Sequence, residues 1–417
     1  MTPQPPAPTP PAQSPLDVQQ ARQSIAAALE PILGWESVAI RDALGRVLAR
    51  DVIAPHNVPA HDNSAMDGYA VRTDDLASGS ACDLKVVGTA FAGSAFSGTI
   101  GAGQAVRIMT GAMIPRGADA VVPQENTRPG EASVSITGPL KAGQNIRRAG
   151  EDLAKDHPAL RAGLRIGPAE LGLIASLGIA EVTVRRRLRV AFFSTGDEVA
   201  SIGRPLAPGQ IYDSNRYTLY GVLTRLGCEL IDMGVIPDRP EALEAAFTEA
   251  AASADVILTS GGVSVGEADF IKTMMNRMGQ VDFWKLNIKP GRPMAFGRIG
   301  QTWLFGLPGN PVAVMVTFYQ FVQDALLTLM GVDPLPLRPT HPARCLSDLR
   351  KQPGRREFVR AILRIEDGEA VVAPTGAQGS GVLRSMSDAN CFIVLGEDQP
   401  SVQAGDTVAV QMFDGLL

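Results

Sequence analysis

Three loops in this 417-residue chain carry residue types suited to holding an anion. They read Ser194-Thr195-Gly196-Asp197-Glu198, Thr259-Ser260-Gly261-Gly262-Val263-Ser264-Val265-Gly266 and Gly306-Leu307-Pro308-Gly309-Asn310-Pro311. Glycine lets backbone amides approach a phosphate or oxyanion closely, and hydroxyls add donors. One such loop alone reads as a tight turn. Three on one sheet edge make a phosphate or oxyanion site the leading reading. Glu198, Asp238 and Asp269 fall near the same edge. Carboxylates beside a phosphate loop suit Mg²⁺, which takes one or two of them plus substrate oxygens. Asp238 and Asp269 serve equally well as helix N-caps, whereas Glu198 has no evident structural task. The basic run Lys285-Leu286-Asn287-Ile288-Lys289-Pro290-Gly291-Arg292 is either a solvated face or a group of cations facing an anionic substrate. The segments at 62–70 (DNSAMDGYA), 109–112 (MTGA) and 150–152 (GED) are dense in small and polar residues. Composition alone assigns them no chemistry.

The elements that must position these groups alternate between strand and helix over 186–332. Leu188–Ser194, Glu229–Ile236, Asp255–Leu258 and Trp303–Leu307 read as strands, the first of the buried parallel type. A helix follows from about Asn215, with Ser214 as N-cap and Gly227 past its end. Asp238 can cap a helix with Pro240 in its first turn, and Asp269 begins another. This alternation predicts an open α/β sheet whose ligands bind beyond the strands' carboxyl ends. Residues 55–150 carry short strand-like runs between Gly and Pro turns and read as a β module. Residues 337–417 read as a second, barrel-like one. Residues 16–30 predict a helix, and 36–54 a short helix and then a strand. The expected fold class is therefore α/β plus all-β modules, a multidomain chain with a central open sheet and two smaller β domains. Residues 16–54 together with 151–185 form an N-terminal helical and linking part.

Composition removes several alternatives. The net charge is −5, which disfavours a nucleic-acid binder acting through a broadly basic surface. No G-x-x-x-x-G-K-[ST] loop is present, and no G-x-G-x-x-G follows a strand in the α/β region, so a P-loop NTPase and a Rossmann-type NAD enzyme are disfavoured. Four scattered cysteines make neither a metal knuckle nor a disulfide framework and fit a reducing, cytoplasmic setting. Seven prolines crowd residues 1–15, which read as a disordered extension rather than a secretory signal. The apolar stretch Val312–Met330 is interrupted by Gln320, Gln323 and Asp324, so it reads as a buried core helix and not a membrane span.

Taken together, the motifs resemble one family closely. HDNSAMDGYAVR (61–72), RIMTGAMIPRGADAVVPQE (107–125), RRAGEDL (147–153), STGDEV (194–199), IYDSN (211–215), TSGGVSVGEADF (259–270), WKLNIKPGRPMAFG (284–297) and GLPGNPVA (306–313) look like the molybdopterin molybdenumtransferases. That family comprises bacterial MoeA and the E domain of gephyrin. The motifs run in its order, and the resemblance covers roughly residues 16–417.

The resemblance implies an elongated protomer that forms a homodimer, with the active site between subunits. It implies a reaction in which adenylylated molybdopterin and molybdate give molybdenum cofactor and AMP with a divalent cation, Mg²⁺. Family functional positions match Asp67, Thr110, Asp152, Glu198, Asp238, Ser264, Asp269, Lys285, Lys289, Pro308 and Pro311. Arg360, and Ser380 in QGSG, are lesser matches that imply molybdate or phosphate contacts. Ser194, Thr195, Gly196, Ser260, Gly261, Gly262 and Gly309 complete the expected substrate-binding set. Glu198, Asp238 and Asp269 are the expected cation ligands. Asp156 stands where the family often has Gly, and Arg292 where Lys is common. Adenylyltransferase and molybdoenzyme-maturation proteins are the implied partners, without nucleic acid or membrane. Two rival readings are molybdopterin adenylyltransferase activity and a non-enzymatic dimeric scaffold. The extra β modules and the MDGYA segment weigh against the first, and the full charged cleft against the second.

Overall fold

The computed structural model describes residues 15–262 and 269–413, with the backbone alone for 269–272. Its centre is a six-stranded mixed sheet. In chain order the elements are β1 (Arg189–Thr195), α1 (Ser214–Leu226), β2 (Glu229–Ile236), α2 (Pro240–Ser253), β3 (Val256–Ser260), α3 (Asp269–Met278), β4 (Gly279–Lys285), β5 (Pro293–Ile299), β6 (Thr302–Leu307) and α4 (Pro311–Leu329). The strand order is β2-β1-β3-β6-β5-β4. The first four are mutually parallel, and β5 and β4 run antiparallel to their neighbours.

β1 is apolar because both of its faces are covered. Val190 and Phe192 join one core with Leu219 and Leu223 of α1. Ala191 and Phe193 join the other with Leu243 and Phe247 of α2. β4 and β5 are additional to the four strands expected. β4 buries only Val281 and leaves Gln280 and Lys285 outward, so its sequence lacks the continuous apolar run of a central strand. Two reversals of direction bring its carboxyl end back to the edge that β1, β3 and β6 share, with Lys285 opposite Pro293 and Ala295 opposite Gly306.

Two caps differ from expectation. The cap of α1 is Asp213, whose carboxylate accepts from the Arg216 amide, and Ser214 is already helical. Gly227 ends α1 at φ 84°, a left-handed position that suits glycine. Arg239, not Asp238, occupies the cap position of α2, because Pro240 starts that helix at its first residue. α4 is long and apolar enough to cross a membrane by length and composition, but 83% of its window is buried inside the protein. It is a core helix, widened at Phe318–Val322 into a π turn.

Residues 55–150 contain a six-stranded sheet in the order Ala120–Pro123, Gly68–Val71, Gln104–Ile108, Ala81–Ala90, Ser133–Thr137, Thr127–Pro129. Near the C-terminus, Arg356–Glu366, Glu369–Pro374, His341–Cys345, Thr407–Met412 and Cys391–Leu395 pair in turn, and the last pairs back with the first. This closed ring is a small barrel with no free edge between those strands. Ile288–Lys289 adds to it in parallel beside Arg356–Glu357, which ties the basic run to the barrel. At the N-terminus, Val18–Ala28 is a helix capped by Asp17. Within 36–54 the expected short helix is a single 3₁₀ turn at Ile40–Asp42 and the expected strand is Val52–Ile53. An additional strand, Trp35–Ala39, precedes them and pairs with Glu181–Arg185.

Candidate functional site

The chain order of the sheet reverses at β1, which has β2 on one side and β3 on the other. That is a topological switch point, where an open α/β sheet leaves a crevice at its carboxyl edge. Ser194 of β1 lies level with Ser260 of β3, and Ser260 with Leu307 of β6. The loops beyond them are packed tightly. Gly261 has φ +93°, and a Cβ there would stand 2.6 Å from the Thr195 carbonyl oxygen, so only glycine fits. Its amide donates to the Leu307 carbonyl at 3.2 Å. Thr195, Ser260 and Ser194 are buried. The Thr195 hydroxyl has no hydrogen-bond partner among the described residues.

Residues from α1 hold these loops. The Ser194 hydroxyl donates to buried Asp213 at 2.9 Å. Asp213 is in turn paired with Arg216, which also bonds Asp232. The Asn215 amide nitrogen donates to the Ser260 hydroxyl at 2.7 Å and to the Gly309 carbonyl at 2.6 Å. Sequence reasoning gave neither Asp213 nor Asn215 a role. The available signal was their place at a helix start just beyond a strand end.

The third loop leads into the N-terminus of α4, with Gly309 and Asn310 exposed and Pro311 as the first helical residue. The barrel meets it there, since the Val312 amide donates to the Ser380 carbonyl at 3.0 Å. Behind Ser380 lies Arg360, 1% exposed. Its guanidinium donates to the Ser385 hydroxyl at 3.0 Å and the Gly379 carbonyl at 2.9 Å. No carboxylate pairs with it among the described residues, and burial pushes it down to about 10. A helix N-terminus and an uncompensated buried cation thus adjoin one another, and both favour an anion. The basic run stands beside them. Gly291, at φ +102°, packs its turn so closely on α4 that a Cβ would be 2.7 Å from the Thr317 hydroxyl. Lys289 bonds buried Glu357 of the barrel at 3.1 Å, whereas exposed Lys285 makes no ion pair among the described residues.

The acidic residues are only partly gathered. Glu198 is exposed, with its carboxylate against Gly196. Asp238 lies beyond β2, its amide 3.4 Å from the Asp197 carboxylate. Ser264, the rest of that loop to 268, and the side chain of Asp269 lie outside the described residues. Among the described residues no three His, Cys, Asp or Glu side chains form a metal-holding group.

The segments left without chemistry in the sequence converge in the 55–150 module. The Thr110 amide and hydroxyl both donate to Asp67 at 2.7 Å, and together they hold its carboxyl below the usual carboxylate range. Asp62 accepts from the Arg148 side chain and from the Ala149 amide at 2.8 Å, which brings in the loop carrying exposed Asp152. Among the described residues the hydrogen bonds of Asp62, Asp67, Thr110 and Asp152 run within 58–152, the Asp152 amide donating to the Val58 carbonyl at 3.1 Å.

Comparison with known proteins agrees with this layout. Residues 16–178 match the model of the MoeA N-terminal region (domain I and II), 191–328 a probable molybdopterin binding domain, and 342–413 the MoeA C-terminal region (domain IV). The chain is 46% identical over 404 residues to the molybdopterin molybdenumtransferase of Haemophilus influenzae, covering 96% of this chain and 100% of that protein. It is 36% identical over 386 residues to the one from Bacillus subtilis, covering 91% and 90%. A crystal structure of the molybdopterin biosynthesis MoeA protein from Pyrococcus horikoshii superposes with a TM-score of 0.82 at 29% identity, over 96% of this chain and 100% of that one. The chain belongs to the MoeA family and is a transferase of molybdenum cofactor biosynthesis.

Proposed function

We propose that the protein takes adenylylated molybdopterin and molybdate and releases AMP as the metal oxyanion is captured by the two pterin-borne sulfurs. The observation that carries this reading is the composite anion site. The α4 N-terminus, the Ser380 loop and the buried, carboxylate-free Arg360 meet beside the switch-point crevice. In this reading Arg360 and Ser380 hold the molybdate, while the amides and hydroxyls of 194–196, 260–262 and 308–311 hold the phosphates. Lys285 and Lys289 spread the negative charge that builds as a molybdate oxygen attacks the adenylate phosphorus and the anhydride bond to the pterin phosphate breaks. That oxygen then leaves with AMP as its bond to molybdenum breaks and the two sulfurs take the metal. No side chain acts as a nucleophile. Catalysis rests on positioning and electrostatics.

The loops of Glu198 and Asp238 adjoin one another, which suits a hard cation completed by substrate oxygens. Glu198, Asp238 and Asp269 would hold Mg²⁺, and the ion would polarise the phosphoanhydride. Asp67 and Thr110 sit on the β module with Asp152 just beyond its end, and a homodimer would bring this cluster to a neighbour's edge. A cytoplasmic setting fits a chain whose four cysteines are all free. The adenylyltransferase and scaffold readings gain no support from any particular feature of the site.

The test is AMP release from adenylylated molybdopterin with and without molybdate. Release that depends on molybdate and Mg²⁺ is expected. ATP consumption with molybdopterin and no need for molybdate would instead establish the adenylyltransferase. Asp269→Asn should cripple AMP release while leaving the fold intact.

A further inference from the structure

We infer that Asn215 is the positioning residue that sets the spacing between the second and third anion-binding loops. This rests on the functional reading above and deepens it. One amide nitrogen reaches both loops, bonding the Ser260 hydroxyl at 2.7 Å and the Gly309 carbonyl at 2.6 Å. The Gly309 carbonyl can only accept, so the amide group, and not its oxygen, must face it. This fixes the orientation of the side chain. With both donors used, the Asn215 oxygen is buried and without a hydrogen-bond partner among the described residues.

Among the described residues the two loops otherwise meet through few polar links: the Gly261 amide to Leu307 at 3.2 Å and a long Ser260 to Pro308 contact at 3.4 Å. Asn215 itself is anchored. It follows the Asp213 cap, whose carboxylate is locked by Ser194 and Arg216. The residue therefore transmits the position of rigid α1 to both loops at once. It also leaves one buried acceptor that a substrate N–H or O–H can use. A buried acceptor that stayed unused would carry a desolvation cost with no return.

The inference is tested with Asn215→Ala, Ser260→Ala and the double variant in the full-length chain. The measurements are AMP affinity by calorimetry, molybdate-dependent AMP release and melting temperature. Asn215→Ala is expected to weaken AMP binding and lower turnover by about tenfold, near the cost of losing one to two buried hydrogen bonds. The double variant should lose less than the product of the two single losses, because both remove the same link. Melting temperature should move by no more than about 4 °C. Should Asn215→Ala not fold, Asn215→Ser, which keeps one donor, is expected to show an intermediate loss at full stability. AMP affinity and turnover within twofold of wild type would overturn the inference, as would strictly multiplicative losses. A wild-type protein that binds AMP but shows no molybdate-dependent release would sink the functional reading. The affinity comparison would then decide on Asn215 alone.

Discussion

The two ends of the central sheet are both rich in charge and hydrogen-bonding groups, but those at the amino end are tied up largely in ion pairs and carbonyls, whereas the carboxyl edge keeps buried hydroxyl and amide atoms without partners among the described residues. At the amino end, Arg186 makes two bonds to Asp255, at 2.7 and 2.8 Å. Burial opposes ionisation of Asp255, but Arg186 and the Arg189 amide outweigh it and hold the carboxyl below its usual range. Arg165 and Arg187 donate to carbonyls at the end of α1. An open basin of about 630 Å³ lies there, lined by Arg186, Arg189, Asp255 and Trp303, so a cavity alone does not mark the site. At the carboxyl edge, Thr195 and Asn215 keep buried polar atoms without partners among the described residues, and Arg360 has no carboxylate. Arg165 and Arg187 also lack a carboxylate among the described residues, but neither is buried. A buried cation without one at the carboxyl edge, in a protein of net charge −5, is where a ligand completes the hydrogen bonding.

That contrast can be broken by substitutions at either end. The largest effect on stability is expected at the amino end. Asp255→Asn removes one partner of a half-buried pair and should cost about 3 kcal/mol of unfolding free energy by denaturant titration. AMP affinity of the folded variant should stay within twofold of wild type. Arg360→Met should do the reverse. A guanidinium held below its ordinary value disfavours folding at neutral pH, and that cost is relieved as pH rises through about 10. Its removal should therefore leave stability unchanged or raised, while oxyanion binding weakens by about 2 kcal/mol. In the wild type, oxyanion affinity should fall as pH rises through about 10.

The next effect is smaller. Lys285→Ala should weaken AMP binding more than Lys289→Ala, by about 0.5–1 kcal/mol, because Lys289 already shares its charge with Glu357. The smallest concerns Asp67. Its lowered carboxyl contributes stability above the ordinary aspartate value and loses it as pH falls through its own lower value. Thr110→Val removes the hydroxyl but keeps the larger amide contribution, so it should shrink that acid-side dependence in melting curves and lower neutral-pH stability by the same small amount.

The sequence was most legible where burial was complete. β1 and β3 are apolar on both faces, and the described residues that follow them, 196–198 and 261–262, lie at the carboxyl edge. β4 is hard to read because its exposed positions interrupt the apolar pattern, and β5 because Pro293, Gly297 and Arg298 break up an otherwise buried run. They are nonetheless what returns Lys285 to the site. Asp213 and Ser214 are both competent caps, and only the backbone decides between them. Arg360 shows no local signal, since an arginine within a strand reads as exposed until the barrel closes over it. The pairings of Asp67 with Thr110 and of Asp62 with Arg148 span 43 and 86 residues, beyond the reach of local pattern.

The central claim is that unpaired groups at the carboxyl edge, not charge in general, make the anion site. Calorimetric titration of molybdate into wild type, Arg360→Met and Asp255→Asn tests it most directly. The expected result is at least tenfold weaker binding in Arg360→Met and wild-type affinity in folded Asp255→Asn. Equal affinity in Arg360→Met and wild type, or a loss confined to Asp255→Asn, would contradict it.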